Sequence, residues 1–235
     1  GFFNIVLYGM TTWGDLFSQR QGLALTCFVN ALERRVVALV REEDPQFALA
    51  IHTCLALAVD RLAEKLSSVA RWDTSRENPQ GTFGRQALPM VWDFAEVNPF
   101  AEVWGGWPLA LAAQVSSIRG LTSVPAATSA TRCSAVDLPY PDDFFDAIVT
   151  DPPYYDNISY ADLSDYFYIW LKRTLGTLYP DHLSADQTPK KQEATVVPYR
   201  FSGDEEARWH YEDLMTKAFI EAGRVAKPGA PVVVV

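Results

Sequence analysis

A short apolar run that stops at an acid and two prolines constrains the fold of this chain more than any other feature. Phe145 to Thr150 has the composition of a buried β-strand, and Asp151-Pro152-Pro153-Tyr154 follows it directly. Proline cannot donate a hydrogen bond to a sheet, and the residue before a proline is pushed out of the helical region. The strand must therefore end at Thr150, with residues 151–154 held as a stiff loop. In open α/β sheets ligands bind at this carboxyl edge, so the motif predicts a site.

The sequence around this loop predicts an α/β unit in the second half of the chain. A weak strand is expected at Thr131 to Ala135, a helix at about Ser159 to Leu175, and a second buried strand at Val232 to Val235. Ser202-Gly203-Asp204-Glu205 has the pattern of a capping box that opens a helix ending before Lys227-Pro228-Gly229. A strand, a helical crossover and a second strand imply a parallel pair.

The first half of the chain has the periodicity of helices. A long helix is expected to start at Asp15 or Ser18 and to end at residues 41–43, and Asp44-Pro45 is an N-cap and first-position pair for the next helix. A third helix is expected at Pro108 to Arg119. Residues 71–106 show no regular period, so we expect an irregular segment with one helical turn near Met90 to Phe94. The segment either serves a site or covers the helical pair.

Composition and charge narrow the classes of protein. The net charge of −9 argues against a surface that coats nucleic acid, although it leaves room for an enzyme whose basic contacts lie elsewhere. No apolar run reaches the length of a membrane span, and the first residues lack the basic flank of a signal peptide. Cys27, Cys54 and Cys133 lack the spacing of a metal site, so we expect no metal. Because they lie among apolar neighbours in the sequence, we expect buried free thiols in a reducing cytoplasm. We also expect no membrane partner.

The acid-proline-proline-aromatic loop suits the methylation of a planar amine. A base amine is a weak nucleophile because its lone pair is delocalised into the ring. Acceptors aimed at its hydrogens, here the Asp151 carboxylate and the Pro152 carbonyl, would stabilise the positive charge that develops on nitrogen. Tyr154 could stack on the base once it has left a duplex. The alternative is an ordinary strand-ending turn, since Asp-Pro is common in turns; the second proline and the aromatic favour a site.

The flanks of the loop resemble known methyltransferases. Ser134 to Asp142 with Phe145 to Thr150 resembles the segment before the catalytic motif of S-adenosylmethionine-dependent methyltransferases, and Arg224 to Gly229 resembles the helix-turn-strand after it. The chain also resembles, more closely, a family of large prokaryotic proteins described as adenine-specific DNA methylases. That closer resemblance rests on Gly9 to Phe17, Asp93 to Phe100, Thr150 to Asp156 and Tyr160 to Leu171.

The resemblance implies an α/β protein with a partial Rossmann-like methyltransferase fold and a helical N-terminal half. It implies a helical and irregular region at residues 1–122 and the C-terminal part of the catalytic domain at 123–235. Within that domain it implies S-adenosylmethionine as the cofactor. The implied catalytic residues are Asp151, Pro152, Pro153 and Tyr154, with Tyr155 and Asp156 as substrate-binding candidates.

The cofactor side of the resemblance is incomplete. No glycine-rich donor loop occurs between Gly1 and Leu138. The acid that contacts the donor adenine in such enzymes aligns with Ser134, and Asp137 lies nearby, although it could instead cap the following turn. Ser134, Asp137 and Leu138 are the cofactor-binding candidates. The chain has no initiator methionine and ends in an apolar run, so we expect part of a longer protein.

Three hypotheses follow from the sequence. The leading one is an enzyme that methylates adenine N6 in DNA, and a cytosine N4 target would need the same kind of loop. The second is an RNA guanine N2-methyltransferase, because related loops serve that chemistry. The third is a methylase remnant without activity that binds nucleic acid. The intact Asp151 argues against the third hypothesis, and the missing donor loop leaves it open.

Overall fold

The computed structural model describes residues 4–42, 44–84, 87–122, 129–156 and 158–235. They form six α-helices, four short strands and three 3-10 helical turns, at Asn4–Tyr8, Trp13–Leu16 and Pro198–Arg200. In chain order the α-helices and strands are α1 Gln19–Glu42, α2 Pro45–Lys65, β1 Trp72–Asp73, β2 Asn78–Pro79, α3 Trp107–Leu121, β3 Ile148–Thr150, α4 Tyr160–Leu175, α5 Pro180–Leu183, α6 Asp204–Val225 and β4 Val232–Val234. Helices with two small sheets are compatible with the predicted α/β class.

The chain divides into two compact units. One contains Gly1–Pro125 and Leu163–Thr188, and the other contains Ala126–Asp162 and Pro189–Val235. The sequence predicted a single division between residues 122 and 123. Most of α4 and all of α5 belong to the first unit, because the aromatic side chains of Tyr166 and Trp170 are part of its core.

The core of the first unit forms where α1 packs against α2 and aromatic residues fill the space beside them. Both helices lie where the sequence predicts, and the Asp44 carboxylate accepts hydrogen bonds from the Gln46 and Phe47 N–H groups, which confirms the predicted N-cap. Tyr166 is 1% exposed, and its hydroxyl donates to the carbonyl of Ala63 at 2.7 Å. The other buried members are Ile5, Leu16, Leu25, Val29, Leu32, Val59, Leu62, Ala63, Leu66, Val69, Leu88 and Trp170.

Helix α2 is also long and apolar enough, by length and composition alone, to cross a membrane, and no other helix in the described residues meets this test. A helix in a protein core has the same properties. Val59, Leu62 and Ala63 are completely buried in the first unit. Length and composition are therefore weak evidence for a membrane span.

The described residues of the segment, 71–84 and 87–106, are irregular, as predicted, apart from the antiparallel pair of β1 and β2. The helical turn predicted near Met90 to Phe94 is wrong. Phe94 instead forms an isolated antiparallel bridge with Arg71, which requires an extended backbone. The predicted third helix is confirmed as α3.

The second unit contains the predicted parallel strand pair. Ile148 pairs with Val232 and Thr150 with Val234, and α6 precedes β4 in the chain. The prediction that these strands are buried is wrong, since Val149 is 71% exposed and Val233 47%. Each strand has one neighbouring strand in the described part of the chain, so its other edge and much of its surface meet solvent.

Two further local predictions in this unit are wrong. Thr131 to Ala135 forms no strand; Ser134 makes only an isolated bridge to Asp137 across a turn. The capping box is also absent. Gly203 is the N-cap of α6 with φ of 150°, a conformation that favours glycine, and Glu206 accepts the Ser202 N–H.

The cysteines differ from their predicted environment. All three are free, but Cys27 and Cys133 are exposed and Cys54 is half-buried. Apolar neighbours in the sequence indicated burial. Cys27 nevertheless lies on a face of α1 that remains in solvent, because the core residues Leu25, Val29 and Leu32 lie on a different face.

Asp60 gives the first testable prediction. It is 9% exposed in α2, its Oδ1 has no hydrogen-bond partner in the described residues, and burial raises its pKa to about 8. The folded state therefore keeps a proton that the unfolded state releases above about pH 4. As a result, the free energy of unfolding falls as the pH rises from about 4 to 8, by at most about 1.4 kcal/mol per pH unit.

Asp60→Asn should remove this dependence. The free energy of unfolding in urea, measured at pH 5 and pH 8, should show the variant gaining on the parent as the pH rises. The prediction fails if the difference between the two proteins is the same at both pH values.

Candidate active site

A large cavity lies in the second unit beside the carboxyl end of β3. Its volume is about 1000 Å³, at the upper end of the range for small-molecule sites, roughly 300–1000 Å³. The walls come from five parts of the unit: residues 134–136 with 138, β3 with its following loop, the first residue of α4, residues 192–194, and α6. The lining residues are Ser134, Ala135, Val136, Leu138, Ile148, Val149, Thr150, Asp151, Pro152, Pro153, Tyr154, Tyr160, Gln192, Glu193, Ala194, Leu214, Met215, Ala218, Phe219 and Ala222.

The cavity brings together six of the nine residues singled out in the sequence. Asp151 to Tyr154 form one part of the lining, and the cofactor candidates Ser134 and Leu138 form another. Asp137 is exposed and does not line the cavity. Tyr155 and Asp156 do not line it either. Tyr155 supports the loop through its backbone, as described next.

Hydrogen bonds anchor the proline loop at the Pro153 carbonyl and, just after the loop, at the Tyr155 carbonyl. The Tyr211 hydroxyl, on α6, donates to the Pro153 carbonyl at 3.1 Å. The Tyr155 carbonyl accepts the Val196 N–H at 2.9 Å and lies 3.4 Å from the Thr195 Oγ1. The Tyr155 and Tyr211 rings also meet edge to face, 5.0 Å between centroids. Burial raises the pKa of Tyr211, so its hydroxyl keeps the proton that it donates.

The Asp151 carboxylate and the Pro152 carbonyl are among the acceptors that this loop leaves open. Within the described residues no hydrogen bond or ion pair engages the Asp151 carboxylate or the Pro152 carbonyl, and both residues line the cavity. Proline fixes the backbone torsion on either side of the Pro152 carbonyl. The loop therefore carries, on two adjacent residues that line the cavity, a carboxylate and a carbonyl with no hydrogen-bond partner in the described residues.

Helix α6 also holds the segment that carries Ser134 and Leu138. The Glu221 carboxylate accepts the Leu138 N–H at 2.8 Å, and Arg224 donates to the Leu138 carbonyl at 3.1 Å and to the Tyr140 carbonyl at 3.0 Å. Arg224 and Glu221 form a two-point ion pair with N–O distances of 2.5 and 2.9 Å. The Arg224 hydrogen bonds and the Leu138 N–H together lower the pKa of Glu221 to about 2.

Sequence reasoning missed two walls of the cavity. The spacing of Leu214, Met215, Ala218 and Phe219 predicts an apolar face on a helix, and that spacing is the same whether the face meets a core or a cavity. Gln192 to Ala194 lie in a segment with no periodicity, so nothing in the local sequence could have indicated them. Their placement depends on a buried ion network described below.

The described residues contain no group of three or more His, Cys, Asp or Glu side chains that could hold a metal ion. Comparison with protein-family models, curated proteins and solved structures found no match. The geometry of the cavity and the chemistry of its lining therefore carry the functional argument.

The Glu221–Arg224 pair yields a pH-dependent prediction. Because the pKa of Glu221 is lowered from its ordinary 4.5 to about 2, its contribution to stability is complete above about pH 4.5 and declines as the pH falls toward 2. Glu221→Gln should therefore destabilise the protein at pH 7. Its deficit relative to the parent, measured by urea unfolding, should shrink between pH 4.5 and 3.

Glu212→Gln, which alters an exposed carboxylate on the same helix, is the matched control and should show a small deficit with little pH dependence. A Glu221→Gln deficit that stays constant from pH 7 to pH 3 would contradict the assignment.

Proposed function

We propose that this protein transfers a methyl group from S-adenosylmethionine to the exocyclic amine of a nucleic-acid base, with adenine N6 in DNA as the target. The observation that carries the proposal is the pair of open acceptors, the Asp151 carboxylate and the Pro152 carbonyl, on a loop that hydrogen bonds hold at the Pro153 carbonyl and just after it at the Tyr155 carbonyl. The family resemblance of the flanking sequence supports the choice of adenine and DNA. On this proposal the parallel pair β3–β4 is part of a Rossmann-like sheet.

The cavity lining suits a methyl donor with a purine and a cationic centre. Val136, Leu138 and Phe219 offer apolar surface for a planar ring. Asp151 supplies negative charge near the end of β3, and the volume of about 1000 Å³ has room for a donor and a base together. Ser134 and Leu138 would hold the donor on the side of residues 134–138. When bound, S-adenosylmethionine supplies an electrophilic methyl group.

The residues of the loop would act on the target amine by position and charge. Asp151 and Pro152 would accept its two hydrogens, which turns the nitrogen lone pair away from the loop and stabilises positive charge on nitrogen as the new bond forms. The Asp151 carboxylate can then take the proton that the nitrogen loses. Holding the amine in one orientation also removes much of the entropic cost of the reaction.

Tyr154 would hold the base by its ring. Its side chain is 50% exposed and lines the cavity, so it is accessible to an extruded base. Stacking of a base on an aromatic side chain contributes about 1–3 kcal/mol. That amount offsets part of the cost of extrusion, which is a few kcal/mol.

Asp151→Ala tests the proposal most simply. Removing one preorganised group that stabilises developing charge costs about 10²–10³ in rate, so the initial rate of methyl transfer to DNA should fall at least a hundredfold. Donor affinity measured by calorimetry and the far-ultraviolet circular dichroism should stay close to those of the parent.

The matched control is Asp146→Ala, which removes an 86%-exposed carboxylate paired with Lys227 just before β3. It should retain the parent rate. Equal rates for Asp151→Ala and the parent would refute the assignment of the acceptor.

For DNA in which the target base is mismatched, Tyr154→Ala should weaken binding by about 5- to 150-fold. This corresponds to about 1–3 kcal/mol of lost stacking. Donor affinity should be unchanged. Tyr154→Phe keeps the ring and should bind like the parent. An effect of Tyr154→Ala on donor affinity alone would place Tyr154 on the donor side of the cavity instead.

A further inference from the structure

A buried ion network lies beside the cavity in the second unit. Arg200 donates to the Asp162 carboxylate at 2.6 Å and to the Glu193 carboxylate at 2.5 Å. The three side chains are only 12%, 13% and 9% exposed, respectively. A buried charge without a partner is costly, so each of these groups depends on the others to remain in place.

The network joins the start of α4 to the segment before α6. Glu193 accepts the N–H of Ala161 in the first turn of α4 at 2.8 Å, and Arg200 donates to Ser159 at 2.8 Å. Asp162 accepts hydrogen bonds from the Ser159 and Tyr199 hydroxyls. Burial alone would raise the pKa of Asp162, but these hydroxyls and Arg200 lower it, so the carboxylate stays charged.

The segment fixed by this network reaches both the cavity and the proline loop. Glu193 lines the cavity with its neighbours Gln192 and Ala194. Immediately after them, the Val196 N–H donates to the Tyr155 carbonyl at 2.9 Å. Thr195, 2% exposed, places its hydroxyl 3.2 Å from the Ile158 carbonyl and 3.4 Å from that of Tyr155.

We propose that Arg200 is a positioning residue for the proline loop. By holding Glu193 against the start of α4, it fixes Thr195 and Val196 against the Tyr155 carbonyl, and this keeps Asp151 and Pro152 in the geometry that methyl transfer needs. Glu193 and Asp162 are its partners in this role. The inference rests on the proposed function for its catalytic consequence, whereas the link from Arg200 to the loop rests on contacts alone.

The chemistry of the network favours arginine over lysine. A guanidinium presents donors in a planar fork, so it binds two carboxylates at once in fixed directions. Here its two terminal nitrogens divide between Asp162 and Glu193. A lysine ammonium would keep the charge but would hold the two carboxylates less rigidly.

The test combines hydrogen exchange with kinetics in Arg200→Gln, Arg200→Lys and Glu193→Gln. Amide exchange read by mass spectrometry should show lost protection at Val196 in Arg200→Gln, with α6 still protected. The kcat for DNA methylation should fall about ten- to hundredfold, as expected for a reacting group displaced by about 1 Å, with donor affinity unchanged. Arg200→Lys should recover part of both losses.

Glu193→Gln covers the case in which Arg200→Gln does not fold, since its amide oxygen can still accept the Ala161 N–H. It should show the same local loss at Val196 in milder form. Lys217→Gln is the control, because it removes an exposed ion pair of 2.6 Å on α6. It should match the parent in exchange and in rate.

Unchanged protection at Val196 in Arg200→Gln and Glu193→Gln would overturn the inference. Loss of protection that extends equally through α6 would also overturn it, because Arg200 would then act on general stability. A parent protein that transfers no methyl group would refute the proposed function, and the exchange result would still decide whether Arg200 holds the loop.

Discussion

The hydrogen bonds that reach the Pro153 and Tyr155 carbonyls are the interactions on which the rest of the site depends. Tyr211 holds the first carbonyl and Val196 the second. The Pro153 and Tyr155 carbonyls are therefore already occupied by protein donors. Among the acceptors left open, the Asp151 carboxylate and the Pro152 carbonyl belong to residues that line the cavity. A preorganised pair of this kind needs no rearrangement when charge develops beside it.

The predictable parts of the fold are those determined by local chemistry. The Asp44-Pro45 cap and the apolar periodicity of α1 and α2 are local features, and the structure has these elements where they were expected. The strand predicted at Thr131 to Ala135 does not form, since in the described residues this segment pairs with no other strand and Ser134 bridges only to Asp137. The predicted capping box does not form because Gly203, and not Ser202, is the N-cap residue of α6.

In the candidate site, too, only the parts determined by local chemistry could be predicted from the sequence. Prolines impose their geometry on their own neighbours, so the end of β3 and the loop at Asp151 could be located from the sequence. The wall at Gln192 to Ala194 could not, because its position depends on Arg200 pairing with Asp162, which lies thirty-eight residues earlier in the chain. Pairing of charges over such separations leaves no periodic pattern in the sequence. The sequence therefore gives no signal that Arg200 lies beside the cavity.

The central claim is that the loop at Asp151 presents a base amine for methylation. The most direct measurement incubates the protein with S-adenosylmethionine carrying an isotopically labelled methyl group and with DNA or RNA, and then identifies the labelled nucleosides by mass spectrometry. We expect labelled N6-methyladenine from DNA. A label found only on RNA guanine, or no labelled nucleoside from a protein shown by calorimetry to bind the donor, would contradict it.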